Sequence, residues 1–209
     1  SNNTAVGYYA LLQNTTGASN VAVGYNSMLT NVTAHRSTAV GYEALKTSNV
    51  SGNSNAYNVG VGYHAGLSLT TGTVNTFVGP KAGDATTTGS YNTAIGLNSL
   101  GANTTASNNT SVGADALAAN TTGPRNVAVG RQALQSVTTN GYNVAVGSMA
   151  LGLTTSGGNT AMGDYAANAN TSGALITAIG SYALGANTTG DNNVALGDEA
   201  MRSNTTASS

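Results

Sequence analysis

The chain has no cysteine, no tryptophan and a single phenylalanine, Phe77. Without cysteine there are no disulfides and no thiolate-held zinc or iron–sulfur sites. Apolar residues make up 40% of the chain, but much of that share is Ala and Val, which fill a thin coil and not a deep globular core. Charge is scarce: 6% of residues carry it, against about 25% in an ordinary soluble domain. The formal net charge of −1 comes with no basic stripe, so the electrostatic footprint of nucleic-acid binding is missing. No run of 18 apolar residues occurs, so no membrane insertion is expected.

What is there is a repeat. A glycine recurs at Gly7, Gly24, Gly41, Gly62, Gly79, Gly96, Gly113, Gly130, Gly147, Gly163, Gly180 and Gly197. The steps are 17 residues, except 21 between Gly41 and Gly62 and 16 between Gly147 and Gly163. The stretch from Asn92 to Thr105 is one copy of the unit. A period of this size with β-type residues is the signature of a solenoid, in which each unit stacks only on its neighbours. No linker or charge run breaks the period, so residues 1–209 read as one continuous array. The expected fold is all-β, a parallel β-roll or β-helix of twelve coils of about 17 residues, some 55–60 Å long at a strand spacing of ~4.8 Å.

Positions are counted from the glycine as zero. Position −4 is Asn in ten repeats, with Ser37 and Ile176 as exceptions. Stacked Asn side chains can form a hydrogen-bonded ladder, and Asn is equally at home turning a corner. Position −3 is Thr or Val, position −2 is Ala in nine repeats, and position −1 is Val, Ile, Leu or Met. Alternation of branched and small residues argues for a strand. Both faces of it are apolar or small, as in a strand buried on both sides. Val6, Val23, Val40, Ile95 and Val129 are expected to line the interior, which leaves the Ala and Gly columns for assembly with another surface. Positions +1 and +2 hold most of the charged residues and should face solvent. Ala or Ser at +3 and usually Leu or Met at +4 form a second inward patch. The unit closes on Asn-Thr-Thr-Gly, as at Asn14 to Gly17, which is turn chemistry and tolerates both length changes.

Candidates for chemistry are few. His35 and His64 are the only histidines and occupy different columns. Asp164 and Asp198 share a column but stand two repeats apart, about 9–10 Å at strand spacing. No catalytic, metal or cofactor site is therefore expected, and no enzyme. Tyr8, Tyr25, Tyr42 and Tyr63 form a column at +1, read either as a contact stripe for a glycan or receptor or as a stabilising aromatic ladder. Acceptor sequons for N-glycosylation occur at Asn14, Asn103, Asn120 and Asn187, among others, although a turn of Asn-Thr-Thr generates sequons automatically.

The unit Asn-Thr-Ala-Val-Gly-Tyr-x-Ala-Leu-x-x-Asn-Thr-Thr-Gly resembles repeats of phage tail-fibre proteins. Its Ala-Val-Gly-x-x-Ala core is similar to the head repeats of YadA-type trimeric adhesins, which form left-handed parallel β-rolls in three-chain bundles. That resemblance implies a parallel homotrimer at a cell surface or on a virion, and no catalytic residues. The two chain ends occupy the same repeat phase and carry no distinct cap, which is expected of a slice of a longer fibre or of a unit stacking end to end into a filament. The expected function is a structural or adhesive fibre segment; the alternative is an ice-binding solenoid, suggested by low charge and regular Thr.

Overall fold

The computed structural model describes residues 2–52 and 54–208. Ser1 and Ser209, used in reading the chain ends, and Asn53, inside the expected insertion, lie outside the described residues. The structure is an all-β parallel solenoid of about eleven turns, with no helix among the described residues. Its strands are β1 (Thr4–Val6), β2 (Val21–Val23), β3 (Thr38–Val40), β4 (Val59–Val61), β5 (Thr76–Val78), β6 (Thr93–Ile95), β7 (Thr110–Val112), β8 (Val127–Val129), β9 (Val144–Val146), β10 (Thr160–Met162), β11 (Thr177–Ile179) and β12 (Val194–Leu196). They form one parallel sheet in sequence order, position on position: Thr93 pairs with Thr110 and Ile95 with Val112. Both length changes are absorbed in the turns. Across the insertion Thr38 still pairs with Val59, and across the deletion Val144 still pairs with Thr160.

The central glycine is required twice over. Its φ lies between 122° and 138°, far beyond the left-handed helical region that other residues visit. It also stacks on the glycine of the next repeat: a Cβ on Gly96 would sit 2.7 Å from the Gly113 carbonyl oxygen. The other corners are turned by non-glycine residues with φ near +50° to +64°, chiefly at −5, +2 and +4, as in Tyr91, Asn98 and Leu100. These turns point successive N–H groups to the repeat before and the repeat after. Asn98 N donates back to the Pro80 carbonyl at 3.0 Å, and Leu100 N donates forward to the Ala116 carbonyl at 2.9 Å. The hydrogen bonds gained along the stack offset a left-handed backbone that costs roughly 1–2 kcal/mol per residue.

The interior reverses one expectation. Position −2 points inward: Ala22, Ala39, Ala94 and Ala128 are fully buried, together with Leu at +4 and Ala or Ser at +3. The valine column faces out, with Val40 36%, Ile95 39% and Met162 44% exposed. The reason is width. The coil is so thin that the inward strand position meets the +4 side chain, and only a methyl group fits beside Leu. The one large residue at −2, Phe77, supports this. Its neighbours at +4 are Gly66 and Gly83, where an added Cβ would lie 2.7 Å from Phe77 Cδ2 and 2.5 Å from Phe77 Cε1. The Ala column therefore packs the core and has no part in assembly.

The Asn ladder is present, with a different rung. At −4 the side chains are almost wholly buried. Each Oδ1 accepts the backbone N–H of its counterpart in the next repeat, as from Asn109 to Asn92 at 3.0 Å and from Asn126 to Asn109 at 2.8 Å. At most rungs Nδ2 donates to a turn carbonyl, as from Asn92 to Ala106 at 2.9 Å, while Asn109 Nδ2 finds no partner among the described residues. Direct amide-to-amide bonds are added at Asn75–Asn58, Asn92–Asn75 and Asn143–Asn126. Ser37 keeps the rung through its hydroxyl, which accepts from Asn58 N at 3.2 Å.

Candidate interaction face

The strands present one side to the interior and the other to the outside. Outward positions −3 and −1 carry Val, Ile, Thr, Met and Leu, with no charged residue in either column. None of these side chains is buried in the single chain. Because the sheet is parallel and in register, identical positions line up at ~4.8 Å intervals and form two continuous stripes about 53 Å long. The −1 stripe is apolar throughout and the −3 stripe mixes Val with Thr, which makes this uncharged face the candidate contact surface.

Two further columns border the stripes. On one side is +1, where Tyr8, Tyr25, Tyr42 and Tyr63 stack with ring centroids 5.4, 5.1 and 5.6 Å apart and planes within 19° of parallel. All four remain exposed. His64 continues this patch: its ring lies 3.8 Å from that of Tyr63, and its Nε2 lies 3.4 Å from Glu43 Oε2. Glu43 also accepts from Lys46 at 2.9 Å and from Asn26 at 3.1 Å, and the Lys46 bond is the main reason its carboxyl is held below the usual range. The other border is −5, with Arg36, Tyr57, Val74, Tyr91, Arg125, Tyr142 and Leu175. Here Arg36 donates to the Tyr57 hydroxyl at 2.7 Å and Arg125 to that of Tyr142 at 2.6 Å, each guanidinium lying over the neighbouring ring. Sequence alone assigned solvent exposure to +1 and +2 and did not single out this column. The available signal was its variability directly before the near-uniform Asn.

The sequon asparagines are engaged in closing turns. Asn103, Asn120 and Asn187 are fully enclosed, and their Nδ2 atoms donate to Ala106, Gly123 and Gly190 carbonyls. Asn14 Nδ2 makes the same bond to Gly17. A glycan on any of these nitrogens would break the turn that the side chain closes. The turn threonines are likewise occupied: Thr87 Oγ1 donates to the Thr104 carbonyl at 3.0 Å and Thr171 Oγ1 to the Thr188 carbonyl at 2.9 Å. His35 Nδ1 accepts from Ala18 N at 2.8 Å in a turn remote from His64, so the structure does not bring the two histidines together. Among the described residues no group of three or more His, Asp or Glu converges as a metal site would require. No protein-family model, curated protein or solved structure matches this chain.

Proposed function

We propose that this chain is a non-catalytic rod segment of an extracellular or virion fibre, and that it works as a parallel homo-oligomer, most simply a trimer. The observation that carries the reading is the uncharged outer sheet face, whose −3 and −1 columns stay open along the whole stack. Burying such β-branched residues contributes ~25 cal/mol per Å², and a repeat multiplies a modest gain by the number of strands. Cyclic symmetry closes that lateral surface while leaving the rod axis free for a longer fibre, or for end-to-end filament growth. Three-fold symmetry rests on the resemblance to tail-fibre and YadA-type repeats; the columns ask only that the face be covered. The Tyr8–Tyr63 stack, at one border, is then the place for a cell-surface glycan or receptor to touch the fibre.

The test is native mass measurement of the protein and of Val129→Asp. The parent should be trimeric. The variant, which sets a carboxylate in each copy's stripe, should shift to monomer while keeping its β-sheet circular dichroism. A stable monomeric parent overturns the proposal. One observation favours the ice-binding alternative: Thr stands at −3 in seven repeats of this flat, uncharged face. It alternates irregularly with Val, however, and measurable thermal hysteresis would be needed to prefer that reading.

A further inference from the structure

The two borders of the sheet face match in character in three consecutive rows. The −5 and +1 columns stand six residues apart on either side of the three-residue strand, at most about 20 Å at ~3.3 Å per residue. In the fourth, fifth and sixth repeats both borders are apolar or aromatic: Tyr57 with Tyr63, Val74 with Pro80, and Tyr91 with Leu97. All six of these side chains are exposed. Nothing inside the chain requires this coincidence.

A parallel cyclic assembly supplies the requirement. Rotation about an axis along the rod keeps each repeat at one height and brings the −5 border of one copy against the +1 border of the next, a head-to-tail contact. An antiparallel pair would set like borders together, and the match within these three rows would have no use. Including its borders, the face measures about 53 Å by at most about 20 Å, an upper bound near ~1,000 Å² beside the ~800 Å² per partner of a stable interface.

We propose that copies of this chain associate parallel and in register, with the −5 column of one copy meeting the +1 column of the next, and that the fourth to sixth repeats form the apolar centre of this seam. The inference rests on the parallel homo-oligomer reading above and adds its register and contact residues. It also assigns a cost to one row: the eighth repeat sets Arg125 against Arg131 of the neighbouring copy, the one row in which both borders carry charge of the same sign. Both arginines are exposed, and their recorded hydrogen bonds, to Tyr142 and Gln132, leave the charges unneutralised.

Two experiments test it on the full chain. The absence of native cysteine allows Asn108→Cys and Ala114→Cys, both in the seventh repeat, to be introduced together. A disulfide needs Cα atoms within about 7 Å, so the pair cannot close within one chain. Under mild oxidation the double variant should give a covalently closed oligomer of the size found by native mass, while each single variant should give none. Separately, Arg131→Glu should tighten assembly about tenfold at low salt by turning each Arg–Arg row into an ion pair, and the gain should vanish near 1 M salt. Arg125→Glu should act alike, and the double reversal should return to the weak parent value. An oligomer without double-variant cross-links, one that cross-links through the single variants, or one weakened by Arg131→Glu overturns the seam while leaving the oligomer reading intact. A monomeric parent overturns both.

Discussion

The Asn ladder gives the sharpest quantitative test, at Asn92→Ala. The parent amide is buried, accepts from Asn109 N at 3.0 Å, and donates to Ala106 O at 2.9 Å and to Asn75 Oδ1 at 3.2 Å. Removing it does not harm these partners equally. The Ala106 carbonyl keeps a bond from Asn103 Nδ2, and Asn75 Oδ1 keeps the Asn92 backbone N–H. The Asn109 N–H alone loses its partner in a closed interior, which costs about 1–3 kcal/mol, and the two lost donor bonds add about 1 kcal/mol each. A destabilisation of about 3–5 kcal/mol follows. Unfolding by denaturant, at one protein concentration because assembly contributes, should show it. Hydrogen exchange should place the loss at the junction of the sixth and seventh repeats, since a solenoid is held by nearest-neighbour terms. Gln132→Ala, at a surface corner, is the control and should change stability by less than about 0.5 kcal/mol. If Asn92→Ala falls within 1 kcal/mol of the parent, the ladder is an ornament of the turn and the reasoning fails.

Other outcomes follow from the same coil. Gly96→Ala should be more damaging than any surface change, because its Cβ would meet the Gly113 carbonyl and its φ of +127° excludes a side chain; soluble yield and thermal melting check this. Phe77→Ala should cost about 3–5 kcal/mol through the cavity it leaves. Adding Gly83→Leu should recover much of that loss, since φ there is +57° and Leu occupies this column in other repeats; denaturant unfolding of single and double variants decides. Asp84 and Glu43 act oppositely on the acid side. Burial raises the Asp84 carboxyl, so its contribution is neutral at low pH and stability falls as pH rises from the unfolded value of about 3.9 through the folded one. The Lys46 hydrogen bond lowers Glu43, so its stabilisation is present above about pH 4.3 and is lost as pH falls through its folded value. Asp84→Asn should therefore be more stable than the parent at pH 7, and the advantage should disappear near pH 3 in parallel melting curves.

The period, the parallel stacking and the placement of insertions in turns were legible in the sequence alone. A glycine every 17 residues admits one register, and one repeat cannot bury its small apolar residues without the next. The Asn column was visible too, but not its rung, because an amide offers donors and acceptor alike and only the coil geometry sets Oδ1 of Asn92 against the next repeat's N–H. Inside and outside could not be told apart in Thr-Ala-Ile, since both faces of such a strand read as apolar. Tertiary structure decided it through width: the wall opposite brings Leu100 inward, so Ala94 fits the interior and Ile95 is turned out. The left-handed corners at Tyr91, Asn98 and Leu100 were hidden for a related reason. Asn tolerates that conformation, but no local preference puts Tyr91 or Leu100 there, and the hydrogen bonds that hold them run to neighbouring repeats that exist only once the solenoid has formed.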